Sequence, residues 1–168
     1  MGIKHFAVFV LAVLLFSFIA LTAVALTDAP DEGQLRSHLE RTFKDGNYND
    51  AYEGYRKLVL DANADSKKVD EDLRMAVQSL RQLGRVNEAD ELLESAIEAH
   101  PNNWRLLRMA AQQYLQIDKY GFLVAGHFER GNRRGGGEVV NATQRDRVRA
   151  LQLLVRATDE LPKDAAEA

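Results

Sequence analysis

The chain of 168 residues contains no cysteine. That absence excludes disulfides, thiolate catalysis, cysteine metal sites and a lipid-modified amino terminus of the bacterial lipoprotein kind. Proline is also scarce, with three residues at positions 30, 101 and 162. Long stretches are therefore free to be helical, and abundant Ala, Leu, Glu, Gln and Arg favour that outcome. Charge of one sign is missing as well. A formal net charge of −3 gives no global field to attract nucleic acid. The four histidines, His5, His38, His100 and His127, fall at no metal-ligand spacing with another ligand, and no HExxH occurs. Surface or capping roles are expected for those outside the amino-terminal segment. His100 in particular stands at a predicted helix end. No serine, histidine and aspartate fall in a nucleophile-elbow pattern. No catalytic residue, metal or cofactor is expected, and the chain is read as non-enzymatic.

What is present begins with an apolar amino terminus. Lys4 and His5 precede an uncharged run from Phe6 to Thr27, with small residues at Ala23 and Ala25. Residues 1–27 are read as a secretory signal peptide or as an uncleaved membrane anchor. Either places the rest outside the cytoplasm, periplasmic or anchored, and membrane contact is expected only through residues 6–27 if they are retained. Residues 28–33 read as a linker.

From residue 34 to 161 the apolar residues recur at helical spacing. The stretch 83–101 organises the rest: Gly84 suits a tight turn, Ala89, Leu93 and Ala96 mark one helix face, and Pro101 ends the helix. Leu73, Ala76, Val77 and Leu80 form a stripe before it. Gly46, Tyr48, Ala51, Tyr55 and Leu58 repeat the spacing of Gly84, Val86, Ala89, Leu93 and Ala96, with a longer loop at 61–66 between the units. A third unit opens with Trp104, Leu107, Ala111 and Tyr114. This pattern resembles tetratricopeptide repeats, helix–turn–helix units of roughly 34 residues. Residues 120–130 are expected to form at most a short helix, and 131–137 a glycine-rich loop. A final helix from Thr143, the expected N-cap, would bury Val148, Leu151, Leu154 and Val155. It would turn Arg145, Arg147, Arg149, Asp159 and Glu160 outward as a cap. Residues 162–168 read as a disordered tail. The expected fold is all-α: antiparallel helical hairpins stacked as a short solenoid, six main helices, a carboxyl-terminal capping helix and no sheet.

The loop around Arg133 and Arg134 lacks the lysine and strand of a phosphate loop. No aromatic interleaves its arginines, so nucleic acid is not an expected partner. A mobile loop or a partner contact remains open. Asn141-Ala142-Thr143 matches a glycosylation acceptor, which matters only in a eukaryotic secretory pathway.

In such repeats the first helices line a concave face. Spacing places Arg74, Gln78 and Arg81 there from the second unit, and Arg105, Met109, Gln112 and Gln113 from the third. Long polar side chains with arginines suit an extended or carboxylate-bearing peptide of a partner protein. A merely solvated face is the competing reading for each residue.

The stretches 48–73, 103–137 and 145–157 also resemble the amino-terminal helical region of exported bacterial proteins of the alpha-2-macroglobulin family. That resemblance implies an extracytoplasmic helical module, a regulatory or scaffold segment of a protease trap. The family's thioester chemistry requires a cysteine that this chain lacks.

Overall fold

The computed structural model describes residues 31–132 and 134–161. The expectations for residues 1–27, for Arg133 and for the tail 162–168 lie outside the described residues. Among the described residues there are six α-helices: α1 Glu32–Lys44, α2 Tyr48–Leu60, α3 Val69–Gln82, α4 Ala89–Ala99, α5 Trp104–Gln116 and α6 Thr143–Asp159. A single 3₁₀ turn, Val86–Glu88, leads into α4. Helix α1 starts at Glu32, inside the expected linker.

Two hairpins turn at glycine, as the repeated spacing predicts. Gly46 and Gly84 have φ of +85° and +68°, where a side chain would be strained. The alanines Ala51, Ala89 and Ala96 are buried at helix crossings, beside Leu73, Leu80, Leu93, Leu106 and Leu107. Small side chains there let backbones approach, and the leucines fill the space between. Gly54, inside α2, serves the same purpose: a Cβ there would lie 2.1 Å from Leu39 Cδ2 of α1.

Polar groups fix one hairpin against the next. Asn103 caps α5, its Oδ1 accepting from the backbone N–H of Arg105 and Leu106, and its Nδ2 donates to Ser66 O at 2.8 Å. His100 caps the end of α4, one of its two expected roles, its backbone N–H donating to Ala96 O. It is buried rather than on the surface, and its Nε2 donates to Val59 O at 2.9 Å.

The all-α expectation fails between α5 and α6. A three-stranded antiparallel sheet fills that connection: β1 Tyr120–Val124, β2 His127–Arg130 and β3 Glu138–Asn141, in the order β2-β1-β3. The expected short helix at 120–130 is a hairpin. Its two-residue turn is Ala125-Gly126, with φ of +49° and +83°, both left-handed as a tight hairpin requires. Gly121 pairs with Arg130 and with Val140, and a Cβ on it would collide with Glu129 O at 2.1 Å.

The final helix also differs from expectation. Its buried residues are Asp146, Ala150, Leu153 and Ala157, whereas Val148, Leu151, Leu154 and Val155 are exposed. Thr143 is the first helical residue, and Asn141 Oδ1 accepts its N–H at 2.8 Å. Ala150 and Ala157 repeat the spacing of Ala89 and Ala96, which lets α6 lie close to α5. Arg145 and Arg149 do not face outward as a polar cap. They reach Asp90 and Glu94 of α4.

Candidate functional site

A groove of about 640 Å³ runs between α1 and α3. Its floor is Tyr55 and Met75, both buried, with Phe43 half-buried beside them. Phe43 is held by an edge-on contact with Tyr48, ring centroids 5.1 Å apart. Burial, with the carboxylates of Asp72, Glu40 and Glu71 nearby, pushes the Tyr55 phenol up to about 12, so it is a neutral hydroxyl at ordinary pH.

Most of the charges around this floor are paired with one another, while Lys68 adds a further cation to the rim. Arg36 donates to Asp72 through Nε at 2.9 Å and Nη2 at 2.8 Å, a bidentate clamp between α1 and α3. Its Nη1 lies 2.9 Å from Glu32. Asp72 is itself buried, and burial pushes its carboxyl above the usual range although Arg36 opposes the shift. Arg74 donates through Nε to Glu71 at 2.9 Å and through Nη1 to Gln78 Oε1 at 3.1 Å. Hydrogen bonding to Arg74 holds Glu71 below the ordinary glutamate value of 4.5. Lys44 reaches Glu40 at 2.7 Å. Cations and anions thus alternate around an apolar strip, and no single sign dominates.

The residues expected to share one concave face are dispersed. Arg74 and Gln78 border this groove. Arg81 is exposed beyond it on the same helix. Arg105 stacks on Trp104, its guanidinium carbon 4.3 Å from the ring centroid. It lines a different hollow of about 370 Å³ with His100 and Pro101. Gln112 is exposed on α5. Gln113 is buried, as is Met109, and its amide lies 3.5 Å from the Met109 sulfur. Neither of these last two is an open groove position. Reading by spacing missed Ser37, Phe43, Tyr55 and Met75. Their side chains form a site only because α1 and α2 pack beside α3, and their apolar signal reads as core.

A second polar centre ties the sheet to the helices. Arg130 on β2 is fully buried. Its Nη1 and Nη2 each donate to Asp146 at 2.9 Å, and Nε and Nη2 donate to Asp90 Oδ1 at 3.0 and 2.8 Å. Its Nη1 also donates to Asp118 O. Arg145 bonds both acids and lies over the Phe128 ring at 4.1 Å. Burial raises Asp146, but the hydrogen bonds and charges of Arg130 and Arg145 outweigh it and hold the carboxyl low. These groups are paired with one another, so the centre anchors the sheet to α4 and α6.

Among the described residues, no cluster of His, Asp and Glu is arranged to hold a metal ion. Among them also, no helix is long and apolar enough to cross a membrane. Residues 70–112 match the family model described as tetratricopeptide repeat. That match covers nearly all of α3, all of α4 and most of α5, so these helices are similar to a tetratricopeptide repeat. No curated protein and no solved structure matches the chain.

Proposed function

We propose that this is a non-enzymatic interaction module that holds an extended peptide of a partner protein in the groove between α1 and α3. The observation that carries the reading is the apolar floor of Phe43, Tyr55 and Met75 inside a rim of paired charges. An apolar side chain of the peptide seats on that floor. Met75 adapts to its shape. Arg74 and Gln78 meet the peptide backbone or its polar neighbours. Because Arg74 is already committed to Glu71, the groove suits a peptide with an apolar anchor better than one recognised through a bare carboxylate. The basic, apolar amino terminus favours export, with the helices outside the cytoplasm.

The test is site-specific photocrosslinking. A photoreactive residue at the exposed position Ser37 should capture a partner in cells, and the same probe at Arg105 should not. Gln78→Trp, which fills the groove from its rim, should remove the Ser37 adduct while the melting temperature holds. Equal capture at Ser37 and Arg105, insensitive to Gln78→Trp, ends the groove reading.

A second reading is a regulatory or scaffold segment of a macroglobulin-like protease trap. It is favoured by the stretch 120–137, which carries part of that resemblance and which contains an ordered β-hairpin rather than a plain repeat turn. The natural reading frame tests it. Continuation into β-sandwich coding sequence supports it, and a stop codon after Ala168 removes it.

A further inference from the structure

The exposed face of α6 is chemically unlike the outer face of α1. On α1 the exposed residues include Gln34, Ser37, His38 and Arg41, all polar. On α6, Val148, Leu151, Leu154 and Val155 are 55%, 63%, 39% and 55% exposed. They lie three, four and seven residues apart, so they form one continuous stripe on a helix already packed by its opposite side. Four aliphatic side chains left in water on one stripe are unfavourable unless something covers them.

The charges at the two ends of the stripe indicate what covers it. Arg147 stands at the amino end, exposed, and Asp159 and Glu160 stand at the carboxyl end, also exposed. A matching helix must be apolar in the middle, acidic where it meets Arg147 and basic where it meets Asp159. An antiparallel second copy of α6 has that pattern. Parallel copies would bring Arg147 against Arg147, and acid against acid. Antiparallel packing also opposes the helix dipoles. The acidic end is unsuited to an anionic lipid surface.

We infer that this face is a self-association surface, in which two copies of the chain pair through antiparallel α6 helices about a two-fold axis. Leu151 and Val155 of each copy interleave at the centre, and Arg147 of each lies toward Asp159 of the other. The inference is independent of the α1–α3 groove. A helix of 17 residues is about 25 Å long. One face of it falls short of the roughly 800 Å² per partner of a standard interface, so the pairing is weak and concentration-dependent.

The full chain, held in a mild detergent that keeps residues 6–27 dispersed, should show a monomer–dimer equilibrium across a concentration series in sedimentation velocity. Leu151→Asp should raise the dissociation constant by about tenfold or more. Leu151→Gln serves as the milder variant if the aspartate lowers helicity. Arg147→Asp and Asp159→Arg should each weaken pairing, and the double reversal should restore it. At concentrations well below the dissociation constant the melting temperature should stay nearly constant, since all three side chains are exposed in the single chain. A wild-type chain that stays monomeric throughout overturns the proposal. So does a dimer indifferent to Leu151→Asp and Leu151→Gln, or a double reversal no better than its single changes.

Discussion

Arg149 of α6 forks onto Glu94 of α4, with Nε 2.8 Å from Oε1. One turn toward the amino end of both helices, Arg145 reaches Asp90 at 2.7 Å. Toward the other end, Arg156 donates to the carbonyl of Pro101 at 2.9 Å. A line of arginines on one edge of α6 therefore follows a line of acceptors along α4 and the turn after it, which sets the register of the two helices. Arginine suits this edge because its long stem packs while its head remains in partial contact with water.

That zipper should be sensitive to acid. Burial pushes Glu94 up, but hydrogen bonds from Arg149 and Tyr114 and the nearby charge of Arg149 outweigh it, and the carboxyl is held below 4.5. A depressed folded value stabilises the protein above the unfolded value, and the stabilisation is lost as pH falls through the folded one. Melting temperature should therefore drop as pH falls below about 4.5, and Glu94→Gln should flatten that drop. Both side chains are partly exposed, so the cost of the substitution at neutral pH is at most about 1 kcal/mol. An unchanged acid slope in Glu94→Gln would show that the pair contributes nothing.

Arg130 should behave differently because it is buried. Arg130→Met leaves the fully buried Asp146 without its bidentate partner, at a cost of about 3–5 kcal/mol in denaturant unfolding. Adding Asp146→Asn to that variant removes a buried charge that would then face only Arg145 and Lys119, and should recover part of the loss. Strict additivity of the two changes would contradict the coupling.

Gly121→Ala should act first on the sheet, and through Arg130 it should also loosen the contact with α6. Its Cβ would meet backbone, not a flexible side-chain end, so β1 and β2 cannot remain in register. Amide protection should vanish across 120–130 and 138–141 while helical circular dichroism persists. Retained protection in β1 and β2 would refute the close approach.

Helical order was legible in the sequence because glycine turns and small-residue stripes recur at fixed steps. Three features were not. The hairpin carries Ala125-Gly126 where Asn-Gly is the usual signal, and Gly121 and Gly126 lower the apparent strand propensity of β1 and its turn. Helix α6 has two apolar faces. The larger side chains, Val148 and Leu151, suggest the wrong one as buried, whereas the chain buries Ala150 and Ala157 because close approach to α5 requires small residues. The groove depends on Phe43, Tyr55 and Met75 meeting across three helices, and no linear spacing encodes that meeting.

The repeat register itself can be tested on α4. Ala89 and Ala96 have 1% and 0% exposure and stand at helix crossings. An arginine at either position must push neighbouring helices apart or bury its charge, and each change should cost several kcal/mol, on the order of 3 or more. Ser95 is next to Ala96 in sequence but half-buried, on the rim of a cleft of about 170 Å³ that contains Glu88 and Glu91. An arginine there extends into solvent beside those carboxylates, so Ser95→Arg should change stability by no more than about 0.5 kcal/mol. Denaturant midpoints decide the matter. Large drops for Ala89→Arg and Ala96→Arg beside an unchanged Ser95→Arg establish the crossing face. Similar midpoints for all three would mean that the alanines do not mark it, and the alignment of the first two hairpins would lose its basis.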